Sequence, residues 1–263
     1  MSLNLPRLTL VARLQFALRF AIRHLALSAV VAAISAFWVF GSLYPEPLRK
    51  MQDVGSLFSL VLIVDAVCGP ILTLLLASPL KSIRERWVDF SLVGAIQVLA
   101  LIFGLHSLWV ARPVVLAFEV DRLVIVTANE VQIEDLTRAP EGMRQLPWQG
   151  LIKVNTRKAL NSNEFMQSME MGMQGISPSM RPSWWLPWSS ASEEMKDRAR
   201  PVLHLLEKHP QDEVALQAAI AKAGIPAQDL RYLPLTSSKA KEWIALLDSE
   251  LRIVAYANVD GFD

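Results

Sequence analysis

The stretch Leu25-Ala-Leu-Ser-Ala-Val-Val-Ala-Ala-Ile-Ser-Ala-Phe-Trp-Val-Phe-Gly-Ser-Leu-Tyr44 runs for twenty residues without a charge. A helix rising about 1.5 Å per residue needs about 20 apolar residues to cross the roughly 30 Å hydrocarbon layer of a bilayer. Two further stretches meet that requirement. Residues 54–80 carry a single charge, Asp65, and residues 90–111 carry none. All three exceed the about 10–14 residues of a buried core helix. The first is also too long for the about 7–15 apolar residues of a cleaved signal peptide. The expected architecture is therefore three transmembrane helices, at about 25–44, 54–80 and 90–111, followed by a small α+β soluble domain over 112–263.

Composition supports this division. The chain has 263 residues, of which 19% are charged, against about 25% in an average soluble domain. Residues 1–110 hold nine Lys and Arg and five Asp and Glu, and the rest of the chain holds seventeen and twenty. A basic, apolar half thus precedes a mildly acidic one. The acidic balance of the second half lacks the electrostatic footprint of a nucleic-acid binder. Cys68 is the sole cysteine, which excludes an intramolecular disulfide and a cysteine-based zinc cage. Within an apolar run it is expected to serve as a small buried hydrophobe.

The positive-inside rule orients the spans. Arg7, Arg13, Arg19 and Arg23 precede the first span, and Lys81, Arg84 and Arg86 occupy the second loop. The first loop has only Arg49 and Lys50, offset by Glu46 and Asp53, and Arg112 and Arg122 follow the third span. The N-terminus is expected in the cytoplasm and the C-terminal domain outside it, in the periplasm of a Gram-negative inner membrane. Residues 1–24 interleave arginine with Leu, Val, Phe and Ile. This basic segment reads either as an in-plane amphipathic helix or as a cytosolic extension of the first span.

In the C-terminal half, residues 113–120 and 123–127 read as two β-rich runs around a tight turn, and residues 151–155 as a further strand. Residues 166–190, rich in Met, Pro, Ser and Trp, read as an irregular arm. Ser190 and Glu193 have the spacing of a capping box for a helix running to about Lys208, disturbed at Pro201. Residues 211–223 form a second helix, ended by Gly224 and Pro226, and residues 243–257 a hairpin.

Asp65 is the sharpest chemical signal. A charge at mid-span costs roughly 2.5–3.5 kcal/mol on insertion scales and ordinarily faces a partner. Pro70 cannot donate to the helical ladder, and with Gly69 beside it a kink near Asp65 is expected. Freed carbonyls and the Thr73 hydroxyl would then be within reach of Asp65. Contact with a partner protein, an internal hydrogen bond, and ion or proton handling stay open. An intramembrane aspartyl protease needs two carboxylates sharing a proton, and only Asp65 lies in a span. His24, His106, His204 and His209 lack a metal-ligand spacing, and His106 is expected to hydrogen-bond another helix. No phosphate loop, nucleophile elbow or metal helix occurs, so neither an enzyme nor a cofactor is indicated. Trp184, Trp185 and Trp188 read as an interfacial belt, a partner-binding patch or domain packing.

Several pieces together resemble the type IV pilin accessory proteins (the TfpX/TfpZ group). They are Asp65 with Gly69-Pro70-Ile71-Leu72-Thr73, the loop ending in Lys81, the third span from Asp89 through Gln97 to Gly104, and Ala111-Arg112-Pro113-Val114 running into Phe118-Glu119-Val120-Asp121-Arg122. The resemblance is strongest over about residues 10–130. It implies a non-enzymatic inner-membrane factor, without cofactor, that helps the major type IV pilin reach the pilus as a chaperone or assembly modulator. It also singles out Arg112, Pro113, Glu119, Asp121 and Arg122 beside the membrane. The bilayer and a pilin are the expected partners, self-association is allowed for, and nucleic acid is excluded. The rival reading is a membrane-tethered sensor whose outer domain binds a ligand; its small cytoplasmic part argues against signal transduction.

Overall fold

The computed structural model describes residues 10–262, and the side chains of Leu10, Val64 and Asp65 lie outside the described residues. The chain forms two compact units, one of residues 1–42 and 54–109 and the other of residues 43–53 and 110–263.

The first unit is helical. Helix α1 (Leu10–Trp38) continues into a π-helical turn, Val39–Leu43. After the short α2 (Leu48–Met51), which belongs to the second unit, come α3 (Val54–Ile63), a π-helical turn Val64–Cys68, and α4 (Gly69–Leu76). Helix α5 spans Ile83–Val110. Three segments, Val11–Leu43, Val54–Leu76 and Ile83–Val110, are long and apolar enough to cross a membrane. Because α1 starts at Leu10, Arg13, Arg19 and Arg23 ride on the same unbroken helix as the apolar run. Residues 10–23 are thus the extension of the first span; Arg7 lies outside the described residues. The kink expected near Asp65 takes the form of the π turn. Pro70 has no N–H to offer the preceding turn, and the ladder widens just before it.

Aromatic contacts tie the unit at both ends. The Phe20 ring lies 5.3 Å from that of Phe90, and the Arg86 guanidinium 5.5 Å from the Phe16 ring. The basic starts of α1 and α5 therefore share one end. At the other end Trp38 and Trp109 stack 6.3 Å apart. Between the ends, Phe37, Leu60, Leu75, Leu99 and Phe103 face outward, a continuous apolar surface that suits hydrocarbon rather than water. Cys68, expected to be buried, is exposed on this surface.

The second unit is built on an eight-stranded mixed sheet of order β4-β3-β1-β2-β6-β7-β8, with β5 paired to β6. Strands β1 (Pro113–Glu119) and β2 (Arg122–Thr127) form the expected hairpin, and β3 (Ile152–Thr156) lies parallel to β1. Helix α6 (Ser162–Met173) precedes the three-residue β4 (Trp185–Pro187). Then come α7 (Ser192–Arg198), β5 (Arg200–Pro201), α8 (Val202–Lys208) and α9 (Glu213–Ala223), the last ended by Gly224 at φ 66°. Strand β6 (Arg231–Ser237) runs parallel to β2, and β7 (Trp243–Leu247) with β8 (Ile253–Ala257) makes the expected hairpin.

Alternation splits the core across the sheet. Leu116, Phe118, Leu233, Leu235, Ala245 and Leu247 meet Met195 on one face, together with Leu48 and Met51 from α2. Tyr232, Ile244 and Leu246 meet Leu205 of α8 and Leu216 of α9 on the other. The ten-residue connection between the first two apolar helices is therefore part of the sheet unit's core.

Three further expectations, all in the sheet unit, need correction. The supposed irregular arm starts with a regular helix, α6, capped by Asn161, whose side chain accepts from the Glu164 N–H at 2.9 Å. Ser190 does not cap α7, because its hydroxyl donates to the Pro187 carbonyl at 2.7 Å and accepts from Asn155 at 3.0 Å. The helix expected up to Lys208 is two helices, since Arg200 and Pro201 leave it to pair with β6.

Candidate functional site

Polar groups inside the helical unit form the first candidate. On α1, His24, Ser28, Val31 and Ser35 recur at helical spacing and share a face. The His24 Nδ1 lies 2.6 Å from the Thr73 hydroxyl of α4, and Thr73 is buried. Thr73 thus binds α1 to α4. The backbone of Asp65 sits in the π turn, and its carboxyl lies outside the described residues. On the facing helix, Gly94, Gln97, Leu101 and Gly104 recur at three- and four-residue spacing. A Cβ added at Gly69 would come within 2.5 Å of Gln97 Cδ, and one at Gly104 within 2.6 Å of Val61 Cγ2. These glycines let the middle and third helices approach side chain to backbone, the usual role of small residues where lipid supplies no hydrophobic drive. A cleft of about 130 Å³ opens between α1 and α5, lined by His24, Leu27, Ser28, Gly94, Gln97 and Val98 among others.

The sheet unit holds a second feature. Trp184 is buried between two guanidinium groups, with Arg157 4.4 Å and Arg181 4.0 Å from its ring. Glu164 of α6 accepts from both Arg157 terminal nitrogens, at 2.9 and 2.6 Å, and from the Leu160 N–H at 2.6 Å. Those bonds hold its carboxyl at a pKa of about 2. Arg181 is buried, which lowers its pKa, and donates to Ser168. Trp185 is also buried, its indole N–H donating to the Ser179 carbonyl at 2.8 Å, and Trp188 is half-buried. Trp184 and Trp185 therefore pack the domain rather than forming an exposed indole patch. Exposed apolar side chains lie elsewhere, among them Trp148, Leu160 and Val214, Val120 in the β1–β2 turn at φ 63°, and a group of four along α6, Phe165, Met166, Met169 and Met173.

The residues singled out beside the membrane are dispersed over the sheet unit. Pro113 opens β1, and Arg112, buried, donates to the Pro147 carbonyl at 3.1 Å. Glu119 accepts from the Ser179 N–H at 2.8 Å. Asp121 pairs with Arg122 at 2.7 Å, and the Arg122 guanidinium lies 4.5 Å from the Phe262 ring. Each of these contacts holds a loop or a strand end. Among the described residues, no group of three His, Cys, Asp and Glu is placed to hold a metal ion.

Sequence reasoning assigned the interhelical hydrogen bond to the wrong histidine. His106 is exposed and makes no hydrogen bond among the described residues, whereas His24 reaches Thr73. The usable signal was position, because His24 shares a helical face with Ser28 and Ser35.

Three apolar helices ahead of a mixed-sheet unit make this a membrane protein, and the comparisons give its family. A family model described as fimbrial assembly protein FimB matches residues 12–52, the segment that carries His24, Ser28, Leu48 and Met51. The fimbrial assembly protein of serogroup I of Dichelobacter nodosus is 32% identical over 255 residues, covering 95% of this chain and 98% of that protein. Its serogroup E1 counterpart is 32% identical over 252 residues, with the same coverage. The protein of serogroups C1 and C2 is 37% identical over 127 residues, 48% of this chain and 97% of that protein. No solved structure matches. The chain belongs to the fimbrial assembly protein family, in keeping with the resemblance to type IV pilin accessory proteins.

Proposed function

We propose that the protein is an inner-membrane accessory factor that holds a membrane-resident type IV pilin before polymerisation, as a pilin-specific chaperone or assembly modulator. The observation that carries this reading is similarity to fimbrial assembly proteins along 95% of the chain. A pilin waiting in the bilayer keeps an apolar helix in lipid, where every polar group needs a partner. Ser28 and the second ring nitrogen of His24 on the first span, with Asp65 in the middle span, are groups of that kind. The exposed apolar side chains of α6 and Val120 supply a surface for the pilin's head. No catalytic step is part of this reading.

If each of the three apolar helices crosses the bilayer once, the loop after the first and the chain after the third lie on one side of the membrane. The presence of Leu48 and Met51 in the sheet unit's core supports that parity. The basic residues at the shared start of α1 and α5 support a cytoplasmic location for that end, which on this reading leaves the sheet unit in the periplasm. The test is co-purification of the full-length protein with its cell's major pilin from mild detergent. The pilin is expected in the eluate and is expected to weaken with Asp65→Ala. Absence of pilin refutes the proposal, and undiminished binding by Asp65→Ala removes that residue from the mechanism.

A further inference from the structure

We infer that the cleft between α1 and α5 is the seat for the partner's transmembrane helix, and that it recognises one hydrogen-bonding side chain on that helix. This rests on the pilin-holding reading and names where within the bilayer the holding occurs. Ser28 lines the cleft, is 8% exposed, and its hydroxyl has no hydrogen bond among the described residues. A helical serine can return its hydroxyl to the preceding turn, as Ser107 does to the Phe103 carbonyl; Ser28, like Ser35 on the same face, does not among the described residues. His24 lines the same cleft with one ring nitrogen engaged by Thr73. Gly94, opposite, has open space where its Cβ would stand, so an approaching backbone meets no side chain there.

The chemistry selects the occupant. An acyl chain would fill the volume but offer the Ser28 hydroxyl no hydrogen bond beyond its own preceding turn. A helix bearing a carboxyl, carboxamide or hydroxyl satisfies it and gains the close packing that Gly94 allows. The cleft's volume of about 130 Å³ accepts a single such side chain. Position is also specified. Ser28 lies five residues beyond Arg23, about 8 Å along the helix axis, so the partner's polar group belongs about that far inside the basic face of the bilayer.

The experiment places a photoreactive residue at Val98, which lines the cleft, or at Met169 on α6, in the full-length protein in native membranes containing the major pilin. A Val98 adduct with pilin is expected. It should fall about three- to ten-fold in Ser28→Ala, the loss of one interhelical hydrogen bond in lipid, and vanish in Gly94→Leu. Membrane levels of each variant separate lost binding from lost folding, and the small Ser28→Ala change keeps the test valid if Gly94→Leu fails to accumulate. A pilin adduct from Met169 with only phospholipid adducts from Val98 overturns the cleft but leaves the pilin reading standing. So does a Val98 pilin adduct insensitive to Ser28→Ala and Gly94→Leu. No pilin adduct from either position overturns the cleft, and with failed co-purification it overturns the pilin reading too.

Discussion

Met51 lies in the short connection between two apolar helices, yet it is 2% exposed and packs among Leu116, Leu235 and Leu247. Replacing it by alanine removes the end of a fully buried side chain from a core that can only partly close around the gap. Buried Met→Ala changes cost about 2–5 kcal/mol, so about 3 kcal/mol is expected here. Against a typical domain stability of about 5–15 kcal/mol that is a large fraction. For a unit of this size each kcal/mol lowers the midpoint by about 2–4 °C, which predicts a fall of about 6–12 °C. The assay is thermal unfolding of the full-length protein in detergent, followed by tryptophan fluorescence; Trp243 sits in the same core cluster. Lys50, its exposed neighbour on α2, serves as control, and Lys50→Ala should stay within about 0.5 kcal/mol of wild type. A Met51→Ala midpoint within 2 °C of wild type, on the order of less than 1 kcal/mol, or equal losses in both variants, would refute the claim that this loop belongs to the sheet unit's core.

Two further outcomes follow from particular contacts. Gly104→Ala drives a methyl group against Val61, whose Cγ2 would stand 2.6 Å from it, and is expected to destabilise the helical unit by about 1–3 kcal/mol. The pair Val61→Ala/Gly104→Ala should recover most of that loss in detergent unfolding; no recovery would show that the two helices do not meet there. The Glu164 carboxyl titrates at about 2 when folded, below its ordinary 4.5, chiefly through the bonds from Arg157. Its contribution is therefore complete above about pH 4.5 and is lost as the pH falls through about 2. Because Arg157 covers Trp184, the fluorescence of the folded protein should change over that window, and Glu164→Gln should abolish the change.

Much of this was legible in the sequence, for identifiable reasons. Apolar runs long enough to span lipid leave few alternatives, and the hairpins at β1–β2 and β7–β8 announce themselves by dense Val, Ile and Leu between turn residues. What was missed has local causes. Strand β6 carries Pro234, which argues against a central strand. It is tolerated because Pro234 stands between the residues paired to β5 and those paired to β2, where a missing N–H costs no bond on that side. Helix α6 hides behind a Met, Ser and Gly composition, although Asn161 and Glu164 were a readable start signal. The same spacing at Ser190 and Glu193 misled, because Asn155 and Pro187 claim the serine through tertiary contacts no local pattern reveals. His24, Ser28 and Gln97 went unread as a group because their relation crosses two helices distant in sequence.

The core position of residues 48 and 51 also sets a timetable. At a synthesis rate of about 5–20 residues per second, Met51 is made roughly 10–40 s before Leu247, which belongs to the same core cluster. During that interval the loop has already been made and waits without its binding surface. The sheet unit is therefore completed only by a piece of chain that left the ribosome two helices earlier. A gene fragment starting after the third helix would encode every strand and still lack part of the hydrophobic centre. Helices and sheet unit are therefore inherited and folded together, and swapping the sheet unit between relatives would require carrying the loop with it.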